Sequence, residues 1–252
     1  MLEALYKRMN IPESCRLGKR IYKKLFQENI KLSSTDNKAL QDDVDTIYWQ
    51  YTFKPTTIPI QAYVDDQREY LEIALLQVNL KQIGRVKRLA EIIHRAIPYP
   101  LLVFFVYETS FTLSLANKRF SQAEQDAIVA DDFQMTDWID MSHSTEIQGA
   151  FLNSLDLSTW PHTHFYAFYK AAVDRVITLA CAGQTGFYSL DLPNDYSVDE
   201  RIVKLDQIEK LQQEKSELVG KLKKEKNLGT KVQLNTQIRQ IKNQLDLLRT
   251  HL

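Results

Sequence analysis

The sequence predicts an α/β fold: a mixed β-sheet domain flanked by helices, followed by a C-terminal helical coiled-coil extension. Three observations lead there. Between residues 36 and 107, helical and strand patterns alternate in the order helix, three strands, helix, strand. Within that order, Leu-Leu-Val-Phe-Phe-Val-Tyr ending at Tyr107 is a continuous apolar run, as in a strand buried on both faces. Beyond residue 200 there is no proline, and Leu234, Ile238, Ile241, Leu245, Leu248 and Leu252 recur at alternating steps of four and three, the a/d seam of a coiled coil. The expected division is an α/β domain over residues 1–190 and coiled-coil helices over 197–252.

The opening segment is mixed in character, with Ile21, Leu25 and Phe26 interleaved among basic residues. Asp36 suits the cap of a helix running to about Tyr48, with Leu40, Val44 and Ile47 on one face. The aromatic run from Ile47 to Pro55 reads as a strand, and residues 57–63 as a second one at an edge, because Pro59 cannot donate to a ladder. Residues 69–80 read as one long strand. Gly84 ends it, and an amphipathic helix over 85–97 follows, with Val86, Leu89, Ile93 and Ile97 as its stripe. Pro98 and Pro100 stop that helix. After the apolar strand, the alternating residues 111–115 form an antiparallel neighbour. Residues 118–132 are polar and read as a surface excursion, 133–141 as a late strand, 163–179 as a helix and 183–196 as a linker.

The tail seam changes phase near residues 227–230. Gly229 suits a left-handed turn and Thr230 a new cap, which gives two arms of about 22 residues, each roughly 33 Å long. The arms form either an αα-hairpin or one long helix with a stutter. An apolar seam needs a partner helix in either case, so assembly is the first functional expectation.

Net charge is zero, so no global field favours nucleic acid or membrane. The zero conceals an asymmetry: residues 201–252 carry 12 Lys/Arg against 6 Asp/Glu, leaving 20 against 26 in the first 200 residues. Cys15 and Cys181 have no metal spacing and read as reduced thiols. No apolar signal core opens the chain, and its longest apolar run is too short to span a bilayer. The expectation is a soluble, cytoplasmic protein with no membrane partner.

Phosphate-binding glycine loops, the Gly-x-Ser-x-Gly elbow and the His-Glu-x-x-His helix are all absent. His162 and His164 form a His-x-His pair with no further ligand at a suitable spacing. They read as polar residues at a helix start, with metal ligation as the alternative. The element order is also that of the restriction-nuclease core, where paired carboxylates hold a divalent cation and a lysine activates water. Asp65, Asp66 and Glu72 are the carboxylate candidates here and Lys81 the displaced lysine, with Mg²⁺ required only under that alternative. Two basic patches are binding candidates. Lys19, Arg20, Lys23 and Lys24 lie near aromatic residues, with Tyr48 and Trp49 as further aromatic candidates; Lys221, Lys223, Lys224, Lys226 and Lys231 surround the tail turn.

Ile21-Tyr-Lys-Lys-Leu-Phe, Ile47-Tyr-Trp, Lys54-Pro-Thr-Thr-Ile58, Ala96-Ile-Pro-Tyr-Pro100, Thr136-Asp-Trp138, Lys224-Glu-Lys and Lys231-Val-Gln-Leu-Asn235 occur in this order. Together they resemble the bacterial family defined by domain of unknown function 4391, across nearly the whole chain. Tyr22 departs from the proline expected there, and residues 72–80 lack a lysine often seen near that strand's end. The resemblance implies a setting beside helicases and DNA methyltransferases in restriction-like or phage-defence systems, and no catalytic residues. The leading expectation is therefore a non-catalytic accessory subunit without a cofactor. It would dock on a helicase or methyltransferase of the same operon through the α/β domain and the coiled-coil tail, self-associate, or both. A degenerate metal-dependent nuclease and direct nucleic-acid binding through the basic patches are the alternatives.

Overall fold

The long apolar run lies inside the sheet. In a computed structural model that describes residues 2–123, 127–190, 197–250 and 252, β6 (Leu101–Tyr107) has β5 (Ile73–Leu80) as a parallel neighbour and β7 (Ser110–Phe120) as an antiparallel one. The parallel pair is joined through α4 (Val86–Ala96), since parallel strands need a crossover to bring the chain back to the same end. The sheet runs β1 (Arg16–Ile21), β2 (Val44–Phe53), β5, β6, β7, β8 (Ile128–Met135), and β9 (Ile139–Asp140) also pairs with β7. A separate ribbon pairs β3 (Tyr63–Val64) with β4 (Glu69–Tyr70).

Helices α1 (Leu2–Arg8), α2 (Lys24–Asn29), α3 (Ser34–Asp43), α5 (Glu146–Ser154) and the first part of α6 (Phe165–Thr185) complete this region. Ala74, Leu76, Val78 and Leu80 of β5, with Val103 and Phe105 of β6, pack with Leu40 of α3 and Leu89 and Ile93 of α4. Each of these side chains except Ala74 contributes about 1.5–3 kcal/mol by leaving water. Two paired interactions fasten α3 to the segment around α4. Arg88 grips Asp36 at 2.7 and 2.8 Å, and Arg85 grips Asp43 at 2.7 and 2.6 Å. On the opposite sheet face Phe104 meets the edge of Tyr6, and Phe53 meets Phe168. The Tyr169 hydroxyl lies 3.0 and 2.9 Å from the carbonyls of Leu101 and Ala116 and accepts from the Ala116 N–H at 3.0 Å.

The chain divides inside α6 into two compact units, Met1–Val176 and Ile177–Leu252. In the second, α7 (Val198–Lys224) and α8 (Leu228–Arg249) pack around Ile208, Ile241 and Leu245. Ile208 lies in the first half of α7 and Leu245 near the end of α8, so the two helices form an antiparallel hairpin. The Arg201 guanidinium donates to Thr178 Oγ1 at 3.1 Å, and Gln212 donates to Gln184 at 3.0 Å, fixing α7 to the end of α6.

Several boundaries differ from the sequence reading, each for a local reason. Helix α3 ends at Asp43 instead of Tyr48, because the buried Asp43 is held by Arg85 and the following aromatic run pairs along β5. Ser33 is the cap of α3, and Asp36 completes its capping box from N3. Of residues 57–63 only Tyr63 is in a strand; Thr57 instead closes a turn, accepting from the Lys54 N–H at 3.0 Å. The long strand over 69–80 breaks at Leu71 and Glu72, since Tyr70 joins the β3–β4 ribbon. The expected excursion over 118–132 is largely strand, from β7 and β8; residues 124–126 of it lie outside the described residues. The basic segment before residue 22 contains β1, whose alternation is broken by a bulge at Gly18, φ +63°. In the expected linker, 183–185 are helical and 191–196 lie outside the described residues. Gly229 is helical and Asn227, not Thr230, caps α8 by accepting from the Thr230 N–H at 3.1 Å.

Candidate functional site

Strand β5 is apolar towards α4 but carries Gln77 and Asn79 on its other face. Those two amides organise a polar row. The Tyr6 hydroxyl donates to Gln77 Oε1 at 3.2 Å, and Gln50 Nε2 donates to the same oxygen at 2.9 Å. Gln77 Nε2 donates to Asn79 Oδ1 at 2.9 Å, and Asn79 Nδ2 donates to Thr46 Oγ1 at 2.8 Å. The chain of amides has one direction, and each link fixes the next side chain's orientation. Both lone pairs of Gln77 Oε1 are occupied, while the Gln50 carbonyl and one N–H of each amide are left over.

The row continues sideways through the ladder. Tyr48 of β2 lies opposite Gln77 on one side and Arg20 of β1 on the other, so the three share a face. Tyr48, Gln50, Gln77 and Asn79 are half-buried and Arg20 is exposed. A β-bulge between Trp49 and Tyr51 brings Gln50 into the row.

Next to it lies a cleft of about 620 Å³, whose lining includes Glu3, Tyr6, Lys7, Glu13, Arg16 and Tyr51. Tyr6 belongs to both the cleft and the row. Its ring meets Tyr51 edge-on, with centroids 5.3 Å apart, and Arg16 lies opposite Tyr51 in the ladder. Burial raises the Tyr6 hydroxyl pKa far above that of a free phenol; burial and then Glu3 raise that of Tyr51. Both phenols therefore stay neutral donors. The combined surface offers rings, amide edges and guanidinium groups, which bind planar polar ligands and anions.

The first predicted basic patch is only partly available. Lys19 lies opposite Trp49, and Arg20 opposite Tyr48, so the structure forms two cross-strand pairs that face opposite sides of the sheet. Lys23 does not face solvent freely: its ammonium donates to the carbonyls of Gln41 at 3.1 Å and Val44 at 2.6 Å, closing the end of α3. Burial, then repulsion from Lys81, lowers its pKa. Lys24 pairs with Glu28 at 3.2 Å. The Trp49 indole donates to Thr52 at 2.8 Å and packs towards the helix layer.

Among the nuclease candidates, Glu72 and Lys81 are not brought together. Glu72 precedes β5 and Lys81 follows it, so an eight-residue strand, roughly 26 Å of extended chain, separates them. Asp65 holds its own turn, accepting from the Tyr63 hydroxyl and from the Gln67 and Arg68 N–H groups, each at 2.8 Å. The Gln67 N–H is the main cause that keeps its carboxyl pKa low. Asp66 is exposed beside it. His164 accepts from the Ala167 N–H at 3.1 Å and stacks on Tyr63, while His162 stacks near Phe168. Among the described residues no three His, Cys, Asp or Glu side chains form a group able to hold a metal ion.

The second basic patch surrounds the hairpin turn. Lys221, Lys223, Lys224 and Lys226 are exposed, and Lys231 is half-buried. The one carboxylate within the turn, Glu225, accepts from the Lys226 and Asn227 N–H groups, both at 2.7 Å. Leu228 and Val232 stand out among these lysines, 77% and 59% exposed.

Sequence reading missed Tyr6, Arg16, Gln50, Tyr51, Gln77 and Asn79. The available signal was the alternation Gln-Val-Asn-Leu ending at Leu80, which breaks an otherwise apolar strand on one face only.

No described helix is long and apolar enough to cross a membrane. No curated protein and no solved structure matches the chain. A family model covers it almost end to end, and the chain belongs to the family of the domain of unknown function DUF4391, matched over residues 9–245.

Proposed function

We propose that this protein is a non-catalytic interaction subunit of a prokaryotic restriction-like or phage-defence system, working in the cytoplasm. Its hairpin docks on a helicase or DNA methyltransferase encoded beside it. The observation that carries this reading is the hairpin tip, where Leu228 and Val232 are exposed close in sequence to Lys224, Lys226 and Lys231. An apolar centre with a polar, solvent-accessible rim is the general anatomy of a protein interface. The separation of Glu72 from Lys81 gives the nuclease alternative no comparable support.

The test is co-purification of the full chain with each neighbouring gene product, beside the Leu228→Asp/Val232→Asp variant. The expected result is a complex with one neighbour that the double variant loses while its melting temperature is retained. A chain that binds neither neighbour, or a complex indifferent to the tip, overturns the reading.

A further inference from the structure

We propose that the open sheet face from Arg16 to Arg20 binds an unpaired nucleotide, either as a free nucleotide or within a single strand. This inference does not use the hairpin and stands apart from the docking reading.

The chemistry follows from what the face offers. The Gln50 carbonyl and the remaining N–H groups of Gln50, Gln77 and Asn79 present donors and acceptors held by the row described above. The Watson–Crick edge of a base is complementary to such amides, and that edge is accessible to them only when the base is unpaired. Tyr48 is half-buried in the same row, its hydroxyl makes no hydrogen bond among the described residues, and it supplies a ring for stacking. Arg20, beside Tyr48, is exposed and placed for a phosphate. Arg16 and Lys7 provide cations at the cleft end, where Glu3 and Glu13 also lie; Glu13 approaches Arg16 at 3.8 Å. Arg20 makes no ion pair among the described residues, which sets the phosphate at that end and the base over Gln50 and Gln77.

The experiment uses the full chain and a labelled single-stranded oligonucleotide of mixed sequence, read by fluorescence anisotropy over a salt series. The four nucleoside monophosphates are titrated separately by calorimetry. Arg20→Ala is expected to weaken binding roughly tenfold and to reduce the salt slope by about 0.7, the value for one phosphate contact on a single strand. Gln50→Leu and Tyr48→Leu are expected to weaken binding with the slope unchanged. Lys223→Glu/Lys224→Glu at the hairpin is expected to leave it intact. Thermal melts identify any variant that fails to fold, and the exposed Arg20 provides a change outside the core. Binding of monophosphates as tight as that of the oligonucleotide identifies the free nucleotide as the ligand; tighter binding of the oligonucleotide identifies the strand. The proposal is overturned if neither binds, if duplex competes as well as single strand, or if binding depends on the hairpin lysines and not on Arg20 and Gln50.

Discussion

The Lys118 ammonium donates to the Ile97 carbonyl at 2.7 Å, in the interior, at the end of α4. It also donates to the His94 carbonyl, so one lysine closes the last turn of the helix, where unpaired carbonyls and the helix dipole favour a cation. Only 2% of Lys118 is exposed. His94 beside it stays neutral: burial, then Lys118, lowers its pKa to about 3, and its Nε2 lies 3.1 Å from Ser114 Oγ.

Burial lowers the Lys118 pKa from 10.5 to about 7. Between those values the unfolded chain holds a proton that the folded chain has released, so stability rises with pH. Buried Cys15, Cys181, Tyr6 and Tyr70 have raised pKa values and act in the opposite direction, but only above their ordinary ranges near 9 and 10. From pH 7 to 9 Lys118 therefore supplies a rise of up to about 1.4 kcal/mol per pH unit, and Lys23, whose pKa burial also lowers, acts in the same direction. Urea unfolding at pH 7, 8 and 9 should show this rise in the parent and a smaller one in Lys118→Met. A parent whose stability falls over that window contradicts the assignment.

Asp36 gives the reverse dependence. Its carboxyl pKa is depressed chiefly by the Arg88 hydrogen bonds, so its contribution is present above the unfolded value near 3.8 and is lost as pH falls below it. Asp36→Asn removes one partner of a largely buried pair and should cost about 3 kcal/mol at pH 7, at the lower end for such losses because Arg88 is 45% exposed. Ser33→Ala, which removes only the cap, should cost about 1 kcal/mol. The deficit of Asp36→Asn should shrink when unfolding is repeated below pH 4; an undiminished deficit would point to packing and not charge.

Lys118 and Lys23 also explain what the sequence concealed. The strands with strong apolar content, β5 and β6, were legible because their side chains leave water irrespective of partners. A lysine reads as surface, yet both of these ammonium groups end a helix by meeting its carbonyls, a long-range match with no local pattern. Arg20 and Tyr48 were legible as residue types, but their adjacency comes from the β1–β2 register. Gly18 hid that register by interrupting the strand's alternation. The amide row was legible only as two polar positions, because its meaning depends on Tyr6, far away in sequence.

The hairpin separates packing from recognition. Ile241 is buried with Ile208 and Leu245, so Ile241→Ala should cost about 2–4 kcal/mol in the second unit. Leu228→Asp changes a side chain that is 77% exposed and should alter stability by no more than about 0.5 kcal/mol. Hydrogen exchange resolved by peptide is the suitable measurement. Ile241→Ala should accelerate exchange in α7 and α8 while Leu228→Asp does not. Equal acceleration by both would mean that Leu228 packs within the hairpin.

Gly220 tests the continuity of α7. It lies inside the helix, is exposed, and has no atom within 4 Å of where a Cβ would stand. Alanine restricts the unfolded chain and favours the helix, so Gly220→Ala should stabilise by about 0.5–1 kcal/mol. Gly229 lacks that freedom, because a Cβ there meets Asn227 Oδ1 at 3.2 Å, the atom that caps α8. Gly229→Ala therefore gains helix propensity while pressing on the cap, and its benefit should fall below that at Gly220. With Asn227→Ala already present, at a cost of about 1 kcal/mol, that opposition is removed and Gly229→Ala should recover the full gain. A double-mutant cycle on thermal unfolding measures the difference; strict additivity at residues 227 and 229 would show that the cap does not resist the new methyl group.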